Sequence, residues 1–166
     1  MRLHAVILCV IAAAAAQAGP SAFPAGGSYI IQMESTQVAS GLAEYLVPPL
    51  VKAMDASGLI YRAGSGAEFA ATLKTSSDVG KWFGAGGSRR WLYSRQVLVG
   101  LSPEGHAPRS GELTSDPAFG VTVRLITENA DRTDELDCLV DLAVKTLAAR
   151  YRRTGRVAVD GQSCKK

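Results

Sequence analysis

Two stripes of apolar residues at helical spacing lie far apart in the chain, and a run of strand-like segments separates them. The first stripe recurs at Leu42, Leu46, Leu50 and Met54. The second comprises Leu136, Leu139, Val140, Ala143, Val144, Leu147 and Tyr151. Each stripe is typical of a helix that buries one face. Because the two helices flank the strands instead of alternating with them, the order excludes a doubly wound α/β sheet and favours an α+β fold.

The interval between the stripes contains four segments with strand patterns, at residues 59–62, 68–74, 90–101 and 119–127. Apolar and polar positions alternate in the longer ones, as in a strand with one solvated face. Further strands are predicted at 28–34 and 156–159. The predicted order is therefore β-α-β-β-β-β-α-β: a two-layer sandwich with a mainly antiparallel sheet and two helices on one face.

Two prolines interrupt the first helical stripe. Pro48 and Pro49 each lack a backbone donor, and a proline inside a helix clashes with the preceding turn. We therefore expect a kink near residues 45–48, or two short helices, with Gly58 ending the second.

Residues 1–18 have the layout of a cleaved secretory signal peptide. Arg2 supplies the positive charge, residues 5–16 carry no polar side chain, and Ala-Gln-Ala at 16–18 provides a small-residue cleavage site. The apolar run would rise only about 18 Å as a helix, against a hydrocarbon core of about 30 Å, so it fits a membrane anchor poorly. Cys9 lies inside the run instead of at its end, which argues against a lipid-modified cysteine.

The leader predicts an exported protein, periplasmic or secreted, with no membrane span once the leader is removed. Residues 19–27 contain three glycines and two prolines and are expected to form a flexible lead-in. Residues 28–166 then form a single α+β domain of ordinary size.

Export also determines how the remaining cysteines are interpreted. Cys138 and Cys164 are left once the leader is removed, and two cysteines in an oxidising compartment favour one disulfide. A helix leading away from Cys138 and a strand returning to Cys164 would bring the two together. Two free buried thiols, or an interchain bridge through Cys164, are the alternatives.

The chain beyond the leader has little material for a metal or cofactor site. His106 is its one histidine, and no paired-cysteine or calcium-loop motif occurs. Residues 84–89 begin like a dinucleotide fingerprint, but Arg89 occupies the third glycine position and the segment lies between two strands. We predict a hairpin tip there, no metal and no cofactor. The small net charge of +3 requires no acidic partner, and export argues against nucleic acid.

Ser102, Glu104 and His106 form the one cluster that suggests catalysis. They would support a small secreted hydrolase with a serine nucleophile. Members of a triad normally come from distant, rigid elements, whereas these three share one Pro/Gly-containing loop. The sequence therefore favours a protein that is not an enzyme, with the hydrolase as the alternative.

Aromatic and basic residues concentrate between positions 82 and 95, and they form the candidate binding site: Trp82, Phe83, Arg89, Arg90, Trp91 and Arg95. Aromatic side chains next to guanidinium groups suit a protein or glycan contact. The alternatives are that Trp82 and Phe83 fold back as a lid, and that Trp91 and Tyr93 are core residues. The leading hypothesis is an exported accessory protein that binds an envelope or extracellular protein or glycan, in an oligomeric state that the sequence does not specify.

Overall fold

A computed structural model describes residues 22–103 and 116–166 of the chain. The strands are β1 (Ser28–Met33), β2 (Ile60–Tyr61), β3 (Phe69–Ser77), β4 (Lys81–Phe83), β5 (Arg90–Pro103), β6 (Phe119–Thr127) and β7 (Gly155–Asp160). The helices are α1 (Ser35–Ala39), α2 (Ala43–Ala56) and α3 (Thr133–Arg150). The predicted α+β sandwich is confirmed, with one short strand and one short helix more than the sequence predicted.

The strands form one mixed sheet in the order β2-β1-β3-β5-β6-β7, and β4 pairs with one end of β5. Strands β3, β5 and β6 pair antiparallel, whereas β1 is parallel to β2 and β3, and β6 is parallel to β7. The parallel pairs arise because α2 and α3 are crossover helices that return the chain in the same direction. Both helices pack on the same face of the sheet and against each other.

The core lies between the two helices and the sheet. The predicted stripe residues of α2 and α3 are buried, and they pack on alternate residues of the central strands, such as Val97, Val99, Val121 and Val123. The other face of the sheet carries the intervening residues of β5 and β6, among them Gln96, Leu98, Thr122, Arg124 and Ile126. We call it the open face, because none of the described helices packs on it.

The break in the first helical stripe lies earlier than the prolines predict. The chain turns at Gly41, which has a φ of +78°, and α2 then continues through Pro48 and Pro49. The carbonyls left without donors by the two prolines are those of Glu44 and Tyr45, and both residues are exposed. Water can therefore satisfy these groups, and the helix tolerates the prolines.

Part of the predicted lead-in packs against the domain. The ring of Phe23 meets Tyr151 edge-on at 5.7 Å between centroids, and Tyr151 meets Phe119 in the same way. The Gly26 amide donates to the Gly58 carbonyl at 2.6 Å. Phe23 therefore belongs to the packed domain and not to a loose lead-in. The predicted leader lies outside the described residues.

Candidate functional site

The segment between β3 and β5, where the sequence predicts a hairpin tip, is a hairpin extension in which β4 pairs with β5. Its turn depends on Asp78, whose carboxylate oxygen Oδ1 accepts the backbone N–H groups of Ser94 at 2.7 Å and Gly80 at 3.1 Å. These two hydrogen bonds, the one from Ser94 above all, lower the pKa of Asp78. The Gly-rich residues 84–89 form the predicted hairpin tip, although the strand before it, β4, was not predicted.

Two tryptophans lie side by side on this hairpin. Trp82 and Trp91 are directly opposed in the β4–β5 ladder, so their side chains leave the same face. Their rings meet edge-on at 5.4 Å between centroids. Trp82 is 60% exposed and Trp91 is 39% exposed. The lid interpretation therefore does not describe Trp82, and Trp91 is not a core residue.

Gly80 makes the arrangement of Trp91 possible. It has a φ of +79°, a region that favours glycine, and a Cβ there would lie 2.8 Å from Cε2 of Trp91 and 3.0 Å from Cε1 of Tyr93. The Trp91 indole thus packs directly on the backbone of the turn, while Trp82 projects outward. We use the name aromatic tip for Trp82 and Trp91 with the exposed Val79 and Arg89 beside them.

Phe83 and Arg90 lie on the opposite side of the hairpin. They are directly opposed in the ladder and, by strand alternation, share the open face with the even-numbered residues of β5. Arg90 pairs with Glu128 at 2.9 Å, and the Lys81 ammonium lies 5.3 Å from the centre of the Phe83 ring. The predicted binding residues are therefore divided between two surfaces.

Arg95 is not a surface residue, so its assignment to the binding site is corrected. It is 6% exposed, its Nη1 donates to the Arg132 carbonyl at 2.7 Å, and it lies 3.9 Å from a carboxylate oxygen of Glu135. Alternation along β5 turns it toward the start of α3, where the Glu135 side chain offers an acid and the residue before the helix, Arg132, offers a carbonyl. Burial lowers the pKa of its guanidinium, an effect that Glu135 opposes.

Sequence reasoning missed the role of Glu135, a fully buried acid in the first turn of α3. The Thr127 hydroxyl donates to its Oε1 at 3.1 Å, and the backbone N–H of Lys166 donates to the same oxygen at 3.2 Å. Arg132 lies 3.6 Å away. A carboxylate in a helical first turn is usually exposed and complements the helix dipole, so no pattern separates Glu135 from Asp134.

The proposed catalytic cluster is only partly described. The Ser102 side chain is buried, and its Oγ accepts the N–H of Ala118 at 2.8 Å. Its observed role is to join the end of β5 to the start of β6. Glu104 and His106 lie outside the described residues, so the hydrolase alternative stays a prediction.

Cys138 and Cys164 form the predicted disulfide, which joins α3 to the turn after β7. Within residues 22–103 and 116–166, no three His, Cys, Asp or Glu side chains come together as a metal site. No helix of these ranges is both long and apolar enough to cross a membrane.

No protein-family model matches the chain, and no curated protein matches its sequence. Among solved structures, a minor lipoprotein from Acinetobacter baumannii is 10% identical with a TM-score of 0.43, covering 75% of this chain and 91% of its own. A PelC dodecamer from Paraburkholderia phytofirmans is 14% identical with a TM-score of 0.40, covering 83% of this chain and 95% of its own. The chain is similar to both, and likeness at this level assigns it no function.

Proposed function

We propose that this chain is an exported, non-enzymatic accessory protein that binds a protein or glycan of the envelope or extracellular space through the aromatic tip. The observation that carries the proposal is the 60% exposure of Trp82, on an ordered hairpin with a second tryptophan against it. A solvent-exposed indole on an ordered element is typical of a contact residue, because its apolar surface becomes buried only when a partner binds.

The proposed export is supported by two independent features. The leader-like residues 1–18 predict passage through a secretory pathway. The Cys138–Cys164 disulfide is the kind of bond that persists in an oxidising compartment.

The geometry of the tip favours a flat or shallow ligand surface. Trp82 presents its exposed indole while the Trp91 ring supports it edge-on, so the contact group is held by packing and loses little freedom on binding. Arg89 is exposed two residues before Trp91 and offers a donor fork for carboxylate or hydroxyl groups. These features suit a sugar ring or an apolar patch on a partner protein.

The proposal is tested by capture from an envelope extract. Purified protein lacking residues 1–18 is immobilised, and retained proteins and glycans are identified by mass spectrometry for wild type and for Trp82→Ser. We expect one specific partner whose binding weakens about 30- to 150-fold in the variant, since burying an indole contributes about 2–3 kcal/mol.

Phe83→Ser is the matched control, because it removes a neighbouring aromatic from the other face of the hairpin. It is expected to leave capture unchanged. If both variants retain the same set of molecules as wild type, the aromatic tip is not the contact surface.

A further inference from the structure

A second surface lies on the opposite side of the hairpin, where it forms a groove with the far edge of the open face. The groove is open to solvent and has a volume of about 580 Å³. Its lining comes from three separate parts of the fold: the hairpin, strand β6, and strand β7 with the turn after it. The lining residues are Lys81, Phe83, Arg124, Ile126, Ala158, Val159, Asp160 and Gln162.

The groove is apolar along its floor. Phe83 and Ile126 are half-buried, and Ala158 is a small residue on the edge strand beside them. Strand β4 pairs only with β5 in the described sheet, so Phe83 lines the groove with β6 and β7 without being their ladder neighbour. The hairpin therefore forms one side of the groove, with Phe83 next to the apolar residues of the sheet.

Two cations border this floor. The Lys81 ammonium lies 5.3 Å from the Phe83 ring centre. Arg124 is oriented by a 2.8 Å hydrogen bond from its Nε to Oγ of Ser94, which leaves its terminal nitrogens for another acceptor. Among the described residues, neither cation has a carboxylate within 4.0 Å.

One acid also lines the groove. Oδ1 of Asp160 accepts the backbone N–H of Gln162 at 2.9 Å, so this carboxylate is already held by the turn after β7. The Asp78 carboxylate of the hairpin turn also interacts electrostatically with both cations, but it accepts the N–H groups of Ser94 and Gly80 and is not part of the lining. Both nearby acids are therefore held by backbone N–H groups, and neither forms a close ion pair with Lys81 or Arg124. An anionic group in the groove would meet two cations without a carboxylate in direct contact.

We propose that this groove binds a small flat apolar molecule that carries one anionic group. The apolar body lies on Ile126 and Ala158 beside the Phe83 ring, and the anion is bound by Lys81 and Arg124. The site is separate from the aromatic tip, since Phe83 and Trp82 leave opposite faces of the same strand. It does not depend on the proposed function.

The test uses two probes with the same aromatic skeleton: 8-anilinonaphthalene-1-sulfonate, and N-phenyl-1-naphthylamine, which lacks the sulfonate. Binding is measured by fluorescence titration, and the site is located from backbone amide shifts in NMR spectra of the whole chain without its leader. We expect the sulfonate to bind at least tenfold tighter and to shift the amides of Ile126 and Ala158.

Three variants separate the contributions of the Lys81 cation, the Phe83 ring and the aromatic tip to probe binding. Lys81→Gln is expected to lower the affinity for the sulfonate probe at least fivefold and to leave the affinity for the neutral probe unchanged. Phe83→Ser is expected to lower the affinity for both probes. Trp82→Ser changes neither, and the melting temperature of each variant confirms that it folds. The proposal is overturned if the amide shifts lie outside the groove or if the two probes bind with equal affinity. It is also overturned if Lys81→Gln does not reduce the difference in affinity between the sulfonate and the neutral probe.

Discussion

Arg95 and Glu135 face each other inside the domain, 3.9 Å apart and both shielded from solvent. The first belongs to the strand that continues into the hairpin, and the second begins the helix that covers the sheet. Lys166, from the segment after the disulfide, reaches the same carboxylate. One buried ion pair thus joins the base of the hairpin, α3 and the C-terminal segment.

Replacing one member of this pair should strongly destabilise the domain. Glu135→Leu leaves the Arg95 guanidinium buried without its nearest counter-charge, and we expect a loss of about 3–5 kcal/mol in the free energy of unfolding. This loss is measured by urea denaturation, with circular dichroism as the signal for unfolding. Asp141→Asn is the control, because Asp141 forms a solvent-accessible pair with Lys145 on the same helix and such pairs contribute about 0.5 kcal/mol or less. Equal effects of the two substitutions would contradict the assignment.

The hairpin should lose stability in acid through Asp78. Its pKa is lowered in the folded state by the N–H groups of Ser94 and Gly80, so the ionised form is favoured by folding. The contribution is fully present above the ordinary aspartate pKa of about 3.9 and is lost as the pH falls through the lowered folded value. Wild type should therefore be more stable than Asp78→Asn at pH 7, and the difference should shrink below about pH 4. Unfolding curves at a series of pH values test this, and a difference independent of pH would contradict it.

The sheet and both long helices could be predicted because their patterns repeat. Strand β6 has the predicted bounds, and the two apolar stripes are buried as expected except for Leu42, which precedes α2 and is partly buried. Burial at a fixed period leaves a local signal in the sequence.

The hairpin and the buried ion pair left no such signal. Strand β4 is three residues long and depends on Asp78 and Gly80 for its turn, so its pairing is set by tertiary contacts. By strand alternation, Trp91, Tyr93 and Arg95 lie on the same face of β5. Only the position of α3 determines that Trp91 is exposed to solvent whereas Arg95 is covered by the helix. Sequence reasoning therefore found the aromatic tip but included a core residue in it.

Reduction of the disulfide should destabilise the domain. Cys164 is buried, and its bond to Cys138 holds the last residues beside α3, where Lys166 meets Glu135. We expect reduction to lower the free energy of unfolding by about 2–4 kcal/mol, with a mass increase of two hydrogens. The Cys138→Ala/Cys164→Ala double variant should already be less stable and should not respond to reductant. Thiols that alkylate readily in native, unreduced protein would contradict the bridge.

The two tryptophans of the aromatic tip should respond differently to truncation. Trp82 is 60% exposed and its ring contacts that of Trp91, so Trp82→Ser should leave the melting temperature nearly unchanged. Trp91 packs on the Gly80 turn, and Trp91→Ser removes that support together with the ring that holds Trp82. We expect Trp91→Ser to cost about 1–3 kcal/mol of stability and to abolish the edge-on pair, which near-ultraviolet circular dichroism detects. If Trp82→Ser proved the more destabilising of the two, Trp82 would be a structural residue and its assignment as the contact group would be wrong.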